Sequence, residues 1–533
     1  MRTDLLQKGI NLKKISKERW CVLGIICIAV ISRAVGLGFF PGGVNVDEAF
    51  SGYEAWAMLN YGTDSWGVHN PVYLTVWGSG MSVLNSALMM PFICLFGLNT
   101  ITIRLPQMII GVISVYLFYL VLKKISNTNV ALWGMFLLAI CPWHIMMSRV
   151  GMDCNLAPGF LLFAVYFFIR GLEKEPYLIP SAIFWGLSLY CYAAIWILVP
   201  LMIIIWGIYC LKYKKLKLYS KYILGFAVVL FLFALPLLLF VAVNMGWMEE
   251  IRTGILSIPR LVCFRSDELG IASLVNNAKA LFKLFICQND GLIWNVIPYF
   301  GMYYLFTMPF VVIGFFLYLQ KILGCIREKK FGYEFLIIMW IFSSVVTGIL
   351  QGINVNKINY IHIPIIILWA EGVWWICIKL KSKAYIWKII AVVYILSFFC
   401  FEGYYYMEYQ EEISERQLAG ADKAIERALQ LRDEHGTETI IVPNVLRHSQ
   451  ILFYTKWPLD NYLETVQWQE YPAKWLKTDS FGCFEWLREE ETGKNELEKD
   501  KIYLFTVEEK ERFVEEGWHV EMYDYVGTAC YED

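Results

Sequence analysis

"MSVLNSALMMPFICLFG", residues 81–97, is an apolar run at the lower limit of membrane-spanning length and is interrupted by Pro91. Its reading fixes the side of the membrane for everything that follows. If it does not cross, four basic clusters share a side with the basic N-terminus "MRTDLLQKGINLKKISKERW": Lys123/Lys124, "LKYKKLK" at 211–217, "IREKK" at 326–330 and "KLKSK" at 379–383. If it crosses, all four move to the opposite side. Cytoplasmic loops carry the excess of Lys and Arg, so 81–97 is read as a juxtamembrane or re-entrant segment on the outer surface.

The rest of the chain supports a membrane setting. Of its 533 residues, 58% are hydrophobic and 17% aromatic, with a mean hydropathy of +0.50. Ordinary soluble domains are about 45–50% apolar, and Trp and Tyr gather at bilayer interfaces. A net charge of -1 argues against nucleic-acid binding.

Apolar runs near 20–40, 103–122, 129–147, 155–170, 178–194, 196–211, 222–243, 296–320, 333–350, 358–378 and 385–402 predict a polytopic α-helical protein with about eleven transmembrane helices. The first is an uncleaved helix, because no small-residue cleavage site follows it. Residues 178–211 are too long for one crossing and are divided near "YCYAAIW". The expected organisation is a cytoplasmic N-terminus (1–19), a transmembrane module (20–403) with outer loops at 41–101 and 244–295, and an extracytoplasmic segment (404–533). The protein is placed in the plasma membrane.

The last segment differs in composition. "EEISERQLAGADKAIERALQLRDEHG" predicts an amphipathic helix closed by Gly436, and "TETIIVP", "KIYLFTV" and "HVEMYDYV" predict strands. Together they predict a small α/β domain. Most of the 14 cysteines lie in apolar runs, where Cys acts as a small hydrophobe. Cys483 with Cys530, or Cys263 with Cys287, are the candidate disulfides.

Residues that can carry chemistry cluster at predicted outer corners. In "PGGVNVDEAF" (41–50), Asn45 and Glu48 have capping-box spacing. Asp47, about 100° away around the helix, is left to face elsewhere. "SRVGMD" brings Arg149 and Asp153 four residues apart, a spacing equally consistent with a local ion pair. His69 lies in an aromatic, polar loop, and Arg104 in "TIRLPQ" is either an anchor or an anion clamp. "NVNKINYIHIP" places Asn354, Asn356, Lys357 and Asn359 at a corner, with His362 inside the next span. Ionisable groups at membrane depth are functional candidates.

These motifs resemble those of the GT-C membrane glycosyltransferases, in the protein-mannosyltransferase-like group (family 39-like) that includes the lipid A aminoarabinose transferases. The matching stretches are "VDE" (46–48), "HNPVYL" (69–74), "FGLNTITIRLPQMIIG" (96–111), "CPWHIMMSRVGMD" (141–153) and "NKINYIHIPIIILWAEG" (356–372). The resemblance covers roughly 20–380 and implies a polyprenyl-phosphate-linked sugar donor with transfer on the outer face. The family's first-loop acidic residue falls on Asp47, with Glu48 beside it, and its second-corner carboxylate on Asp153.

The chemistry of the residues agrees with this. A carboxylate can take the proton of an attacking hydroxyl, and negative charge favours an oxocarbenium-like transition state. A phosphate leaving group needs no general acid, and Arg104, Arg149 or Lys357 can stabilise it. Direct displacement inverts the anomeric centre. The sequence reading is therefore an inverting hexosyl- or pentosyltransferase. Its catalytic candidates are Asp47, Glu48 and Asp153, and its substrate-binding candidates are His69, Arg104, Arg149, Asn356 and Lys357. The acceptor is a cell-surface glycan, lipid or protein. Two acidic residues leave room for a divalent metal, although no His/Cys ligand set supports one. The competing reading is a transporter or flippase of lipid-linked glycans, which commonly carries repeats that are not evident here.

Overall fold

The computed structural model describes residues 17–264, 273–380, 385–488 and 497–531. Lys381 and Lys383 of the last basic cluster, and most of the N-terminal basic segment, lie outside these residues. The described chain is a multi-pass helical membrane protein followed by a mixed sheet. Among the described residues seven helices are long and apolar enough to cross a bilayer: Thr100–Ile125, Asp153–Gly171, Ile195–Lys212, Lys221–Asn244, Leu305–Arg327, Asn359–Lys379 and Ile386–Tyr406.

Every expected span carries a helix, but several are short or broken. The first, α1, covers Lys17–Ala34. The run 129–147 divides into α5 (Thr128–Ala139) and α6 (Pro142–Met147), because Pro142 starts a new helix. Residues 178–211 divide into α8 (Leu178–Ser188) and α9 (Ile195–Lys212), with turns at 189–194. The run 296–320 becomes α12 only from Met308, after Tyr304 takes a left-handed φ of 69°. The opening stretch 81–97 forms a two-residue strand, β2 (Met81–Ser82), and a 13-residue helix, α3 (Leu84–Phe96). At 1.5 Å per residue that helix is about 20 Å long, short of the ~30 Å apolar core.

Contacts gather the basic clusters at one end of the bundle. Lys123 at the foot of α4 (Thr100–Ile125) pairs with Glu18 of α1. Lys124 pairs with Glu173 just past α7 (Ala157–Gly171), Lys217 approaches Glu175 at 3.9 Å, and Lys215 lies 5.2 Å over the Phe331 ring. The opposite end carries α2 (Val46–Tyr61), the hairpin of β1 (Tyr73–Leu74) with β2, and the corners 147–156 and 351–361.

Beyond α15 (Ile386–Tyr406) the chain builds a seven-stranded sheet. The predicted amphipathic helix is two helices, α16 (Glu408–Arg416) and α17 (Ala421–His435). The break falls at Gly420, where φ is +88° and a Cβ would lie 1.9 Å from the Tyr523 carbonyl oxygen. Gly436 closes α17 in the left-handed conformation, as expected. The strands are β5 (Ile440–Val442), β6 (Gln467–Trp468), β7 (Thr478–Phe481), β8 (Phe484–Trp486), β9 (Ile502–Thr506), β10 (His519–Tyr523) and β11 (Val526–Cys530), in the order β10-β11-β9-β5-β8-β7-β6. Among the described residues of this sheet only β5 pairs in parallel, with β8 and β9. The expected disulfides are absent: all fourteen cysteines are free. β9 and β5 stand between Cys530 on β11 and the β8 edge beside Cys483, and three strand spacings amount to about 14 Å, too far for a bridge.

The sheet is joined to the bundle through α2. Tyr53 and Ala57 of α2 share an apolar cluster with Ala421, Ile425, Ile451 and Leu452. Helix α18 (His448–Thr455) lies directly on α2. At Gly52 an added Cβ would meet Ile103 of α4 at 2.8 Å and Phe453 of α18 at 3.1 Å, so α2 passes between the two with no room for a side chain.

Candidate active site

Helix α2 starts as its sequence predicts. Asn45 Oδ1 accepts the Asp47 N–H at 2.9 Å, and Glu48 Oε2 accepts the Asn45 N–H at 3.1 Å. Glu48 does more than cap. It is fully buried and takes a bidentate pair from Arg104, Nε to Oε1 at 2.9 Å and Nη2 to Oε2 at 3.0 Å. Oε1 also accepts the Gly151 N–H at 2.5 Å. One carboxylate thus fastens the start of α2 to α4 and to the corner that carries Asp153.

Arg104 is committed to the same joint. Nη1 donates to the carbonyls of Leu37 (3.2 Å) and Pro41 (2.9 Å), and Nη2 also to that of Gly43 (2.8 Å). With the Glu48 pair, these bonds use all five guanidinium donors. The expected anion clamp has no donor left for a phosphate, and the expected catalytic Glu48 has its oxygens fully bonded. Both residues hold the backbone instead. The second corner is pinned further by Asn85, whose Nδ2 donates to the Gly151 carbonyl, and by Gln107, whose Nε2 donates to Asn85 Oδ1 and to the Met152 carbonyl.

Asp47 is half-buried and Asp153 buried, and the two lie close enough for their charges to interact. Asp153 also accepts the Ser82 N–H from β2. Tyr192, from the break between α8 and α9, lies close enough to Asp153, and to Tyr73 and Tyr360, for their charges to interact. Among the described residues no three His, Cys, Asp or Glu side chains gather as a metal-binding group.

The remaining candidates divide. Arg149 and Asp153 form no ion pair among the described residues. The Arg149 guanidinium donates to the carbonyls of Ser32 (3.0 Å), Val35 (2.7 Å) and Phe40 (3.0 Å) and lies 5.4 Å from the rings of both Tyr405 and Tyr406. It ties the end of α1 to α15. Asn356 Nδ2 donates to the sulfur of Met152 at 3.9 Å. Neighbouring Asn359 locks the two corners together, donating to Asn155 Oδ1 at 3.0 Å and accepting from Trp143 Nε1 at 2.9 Å. Lys357 is half-buried at the same corner, and its ammonium forms no ion pair among the described residues. His362 is buried against Trp143 and Tyr303, so it belongs to the packing of that corner. His69 is exposed, and its Nδ1 bonds the Gly62 carbonyl at 2.8 Å to close its own loop.

That loop holds a feature the motif reading missed. Glu54 and Asp64 are both buried; burial, joined at Glu54 by the charge of Asp64, holds the Glu54 carboxyl above the usual range, and burial alone raises that of Asp64. Glu54 accepts the Ser65 N–H at 2.8 Å, and Asp64 Oδ1 accepts from Trp66 and Val68. A period-3.6 apolar pattern gives no signal for an acid that folds inward, and Asp64 looks like ordinary loop polarity.

The same arrangement of helices recurs in solved structures. ArnT from Cupriavidus metallidurans in the apo state matches at a TM-score of 0.57, covering 96% of this chain and 98% of that one at 12% identity. Its form bound to undecaprenyl phosphate matches at 0.54 with the same coverage and identity. The chain has the GT-C fold. The family model for dolichyl-phosphate-mannose-protein mannosyltransferases matches residues 83–240, from just after β2 through most of α10 (Lys221–Asn244). That stretch of the GT-C bundle contains Arg104, Asp153 and the tyrosine-bearing break. No curated protein sequence matches the chain.

Proposed function

We propose that this protein is a glycosyltransferase that moves a sugar, with inversion, from a polyprenyl-phosphate donor to a hydroxyl acceptor on the outer face of the membrane. The observation that carries the reading is the Asp47–Asp153 pair at one mouth of a GT-C bundle, with Asp47 left accessible while Glu48 beside it is fully bonded. Asp47 takes the acceptor proton as the acceptor oxygen bonds the anomeric carbon. The anomeric C–O bond to phosphate breaks, and the polyprenyl phosphate leaves with the electron pair. Asp153, held by the Ser82 N–H, orients the acceptor hydroxyl. Lys357 is the cation available to the departing phosphate, and its approach there stabilises charge as it develops.

The fold supports this reading because ArnT, which shares it, has been seen with undecaprenyl phosphate. In the same reading residues 20–403 are the catalytic module and residues 404–533 an extracytoplasmic domain. The basic end faces the cytoplasm of a plasma-membrane protein. A cysteine introduced at Asn127 in a cysteine-depleted chain then resists impermeant labelling of intact cells, and ready labelling overturns the orientation. The decisive variant is Asp47→Asn, assayed in membranes for sugar transfer at unchanged protein abundance. Transfer at the wild-type rate sinks the assignment of Asp47.

A further inference from the structure

The hairpin β1–β2 has two ends with different company. Its base holds Asp153 through the Ser82 N–H. Its tip reaches both the segment leading into β7, where the Trp77 carbonyl accepts the Leu476 N–H at 3.0 Å, and the loop 244–295, where the Gly78 carbonyl accepts the Cys263 N–H at 2.8 Å. Trp77 sits there at a left-handed φ of 57°. For a bulky residue that conformation is strained and persists only where the surroundings enforce it.

Between this tip and the sheet lies a narrow cleft with about 210 Å³ of empty space including its mouth. It is lined by Trp77, Asn444, Arg447, His448, Lys477 and Thr478. Thr478 is 5% exposed, and among the described residues neither its hydroxyl nor the Asn444 amide nitrogen has a hydrogen-bond partner. Buried polar groups are normally satisfied, so an orphaned hydroxyl in a cleft wall points to a missing acceptor or donor. Arg447 lies 5.9 Å over the Trp77 ring, and exposed Trp475 packs edge-on against Trp77 at 6.2 Å. The His448 ring is enclosed by Phe50, Trp77 and Trp468, and burial beside Arg447 pushes its imidazole down to about 3. It is therefore neutral and offers a hydrogen bond, not a charge.

Two cations, two orphaned polar groups and an exposed indole face form a combination suited to an acidic sugar. The fork of Arg and the ammonium of Lys meet a carboxylate or phosphate, and an aromatic face covers the apolar side of a pyranose while its polar edge stays wet. A sugar ring does not fit inside so narrow a cleft, so only the tip of a charged substituent enters it and the rings lie across exposed Trp475. We infer that the cleft between the hairpin tip and the C-terminal sheet is a binding subsite for an anionic glycan, the acceptor chain, whose far end is held here while a hydroxyl nearer the membrane reaches Asp47. This rests on the glycosyltransferase reading and adds the acceptor class to it.

The test uses the purified full-length protein in detergent. Binding of a hyaluronan tetrasaccharide, of neutral maltotetraose and of an acidic peptide is measured by calorimetry, alongside binding of undecaprenyl phosphate. The expected result is that the acidic tetrasaccharide binds and the neutral one does not. Arg447→Gln with Thr478→Val then weakens that binding at least about tenfold, the effect of losing one charge-assisted bond, while undecaprenyl phosphate binds as before. Equal binding of both tetrasaccharides, no binding of either, unchanged binding by the double variant, or preference for the peptide overturns the subsite. Because Arg447 also stacks on Trp77, Thr478→Val alone is measured as well. It removes no packed side chain, and unaltered affinity counts against the cleft. Failure of the wild-type protein to bind undecaprenyl phosphate counts instead against the donor, and hence against the function.

Discussion

The two ends of the helical bundle handle charge in opposite ways. At the basic end, Lys124–Glu173 and Lys217–Glu175 are ion pairs with every side chain at least one-third exposed. At the other end, Arg104–Glu48 is completely buried. Exposed pairs contribute at most about 1 kcal/mol each, because water and salt screen them. A buried pair is costly to assemble and far costlier to break, since either partner alone is an uncompensated charge. The basic end therefore informs mainly about orientation, while the opposite end uses charge to hold backbone around a pair of carboxylates.

That contrast can be broken in four places. Asp47→Asn has the largest effect: sugar transfer falls by roughly 10²–10⁴-fold, the usual contribution of a general base. The thermal midpoint in detergent moves little, because the Asp47 N–H that joins the cap is retained. Arg104→Ala comes second and acts on stability, lowering it by about 3–5 kcal/mol. Differential scanning fluorimetry should show that loss, and an unshifted midpoint would mean that the buried pair is not what joins α2 to the second corner.

The third concerns pH. The raised carboxyl groups of Glu54 and Asp64 make the folded protein hold a proton that the unfolded chain has released above about pH 4. Their contribution to stability is thus fully present at low pH and is lost as pH rises from the ordinary carboxylate range through neutrality. Glu54→Gln should flatten that decline in the melting midpoint, and an identical slope in the variant would remove the pair from the explanation. Smallest is Lys124→Ala, which should change stability by no more than about 0.5 kcal/mol; a loss comparable to that of Arg104→Ala would erase the distinction between the two ends.

Hydrophobic run lengths and the sign of the loops were enough to read a polytopic helical fold, since both follow from the thickness of the bilayer and the sidedness of Lys and Arg. The capping role of Asn45 and Glu48 was legible for the same local reason. What local reasoning could not give was the second job of Glu48, because its partners Arg104 and Gly151 are 56 and 103 residues away. The same distance problem turned Arg104 and Arg149 into expected phosphate ligands, when each donates to backbone carbonyls between Ser32 and Gly43. Three strands were legible by alternation, whereas β6, β7 and β8 are only two to four residues long and carry no measurable period. Tyr192 and Tyr73 were overlooked because aromatic residues are so frequent in this chain that position alone does not single one out.

Gly52 sets an order of assembly. Helix α2 is made early, yet one of its faces is completed by Phe453 and the Tyr53 hydroxyl donates to the Trp457 carbonyl at 2.6 Å. The segment that carries Asp47 is therefore seated by residues translated some four hundred positions later. A chain cut before α18 retains its membrane helices but leaves the loop after α1 without the wall that α18 provides, so the candidate site matures only when the C-terminal sheet has closed over it.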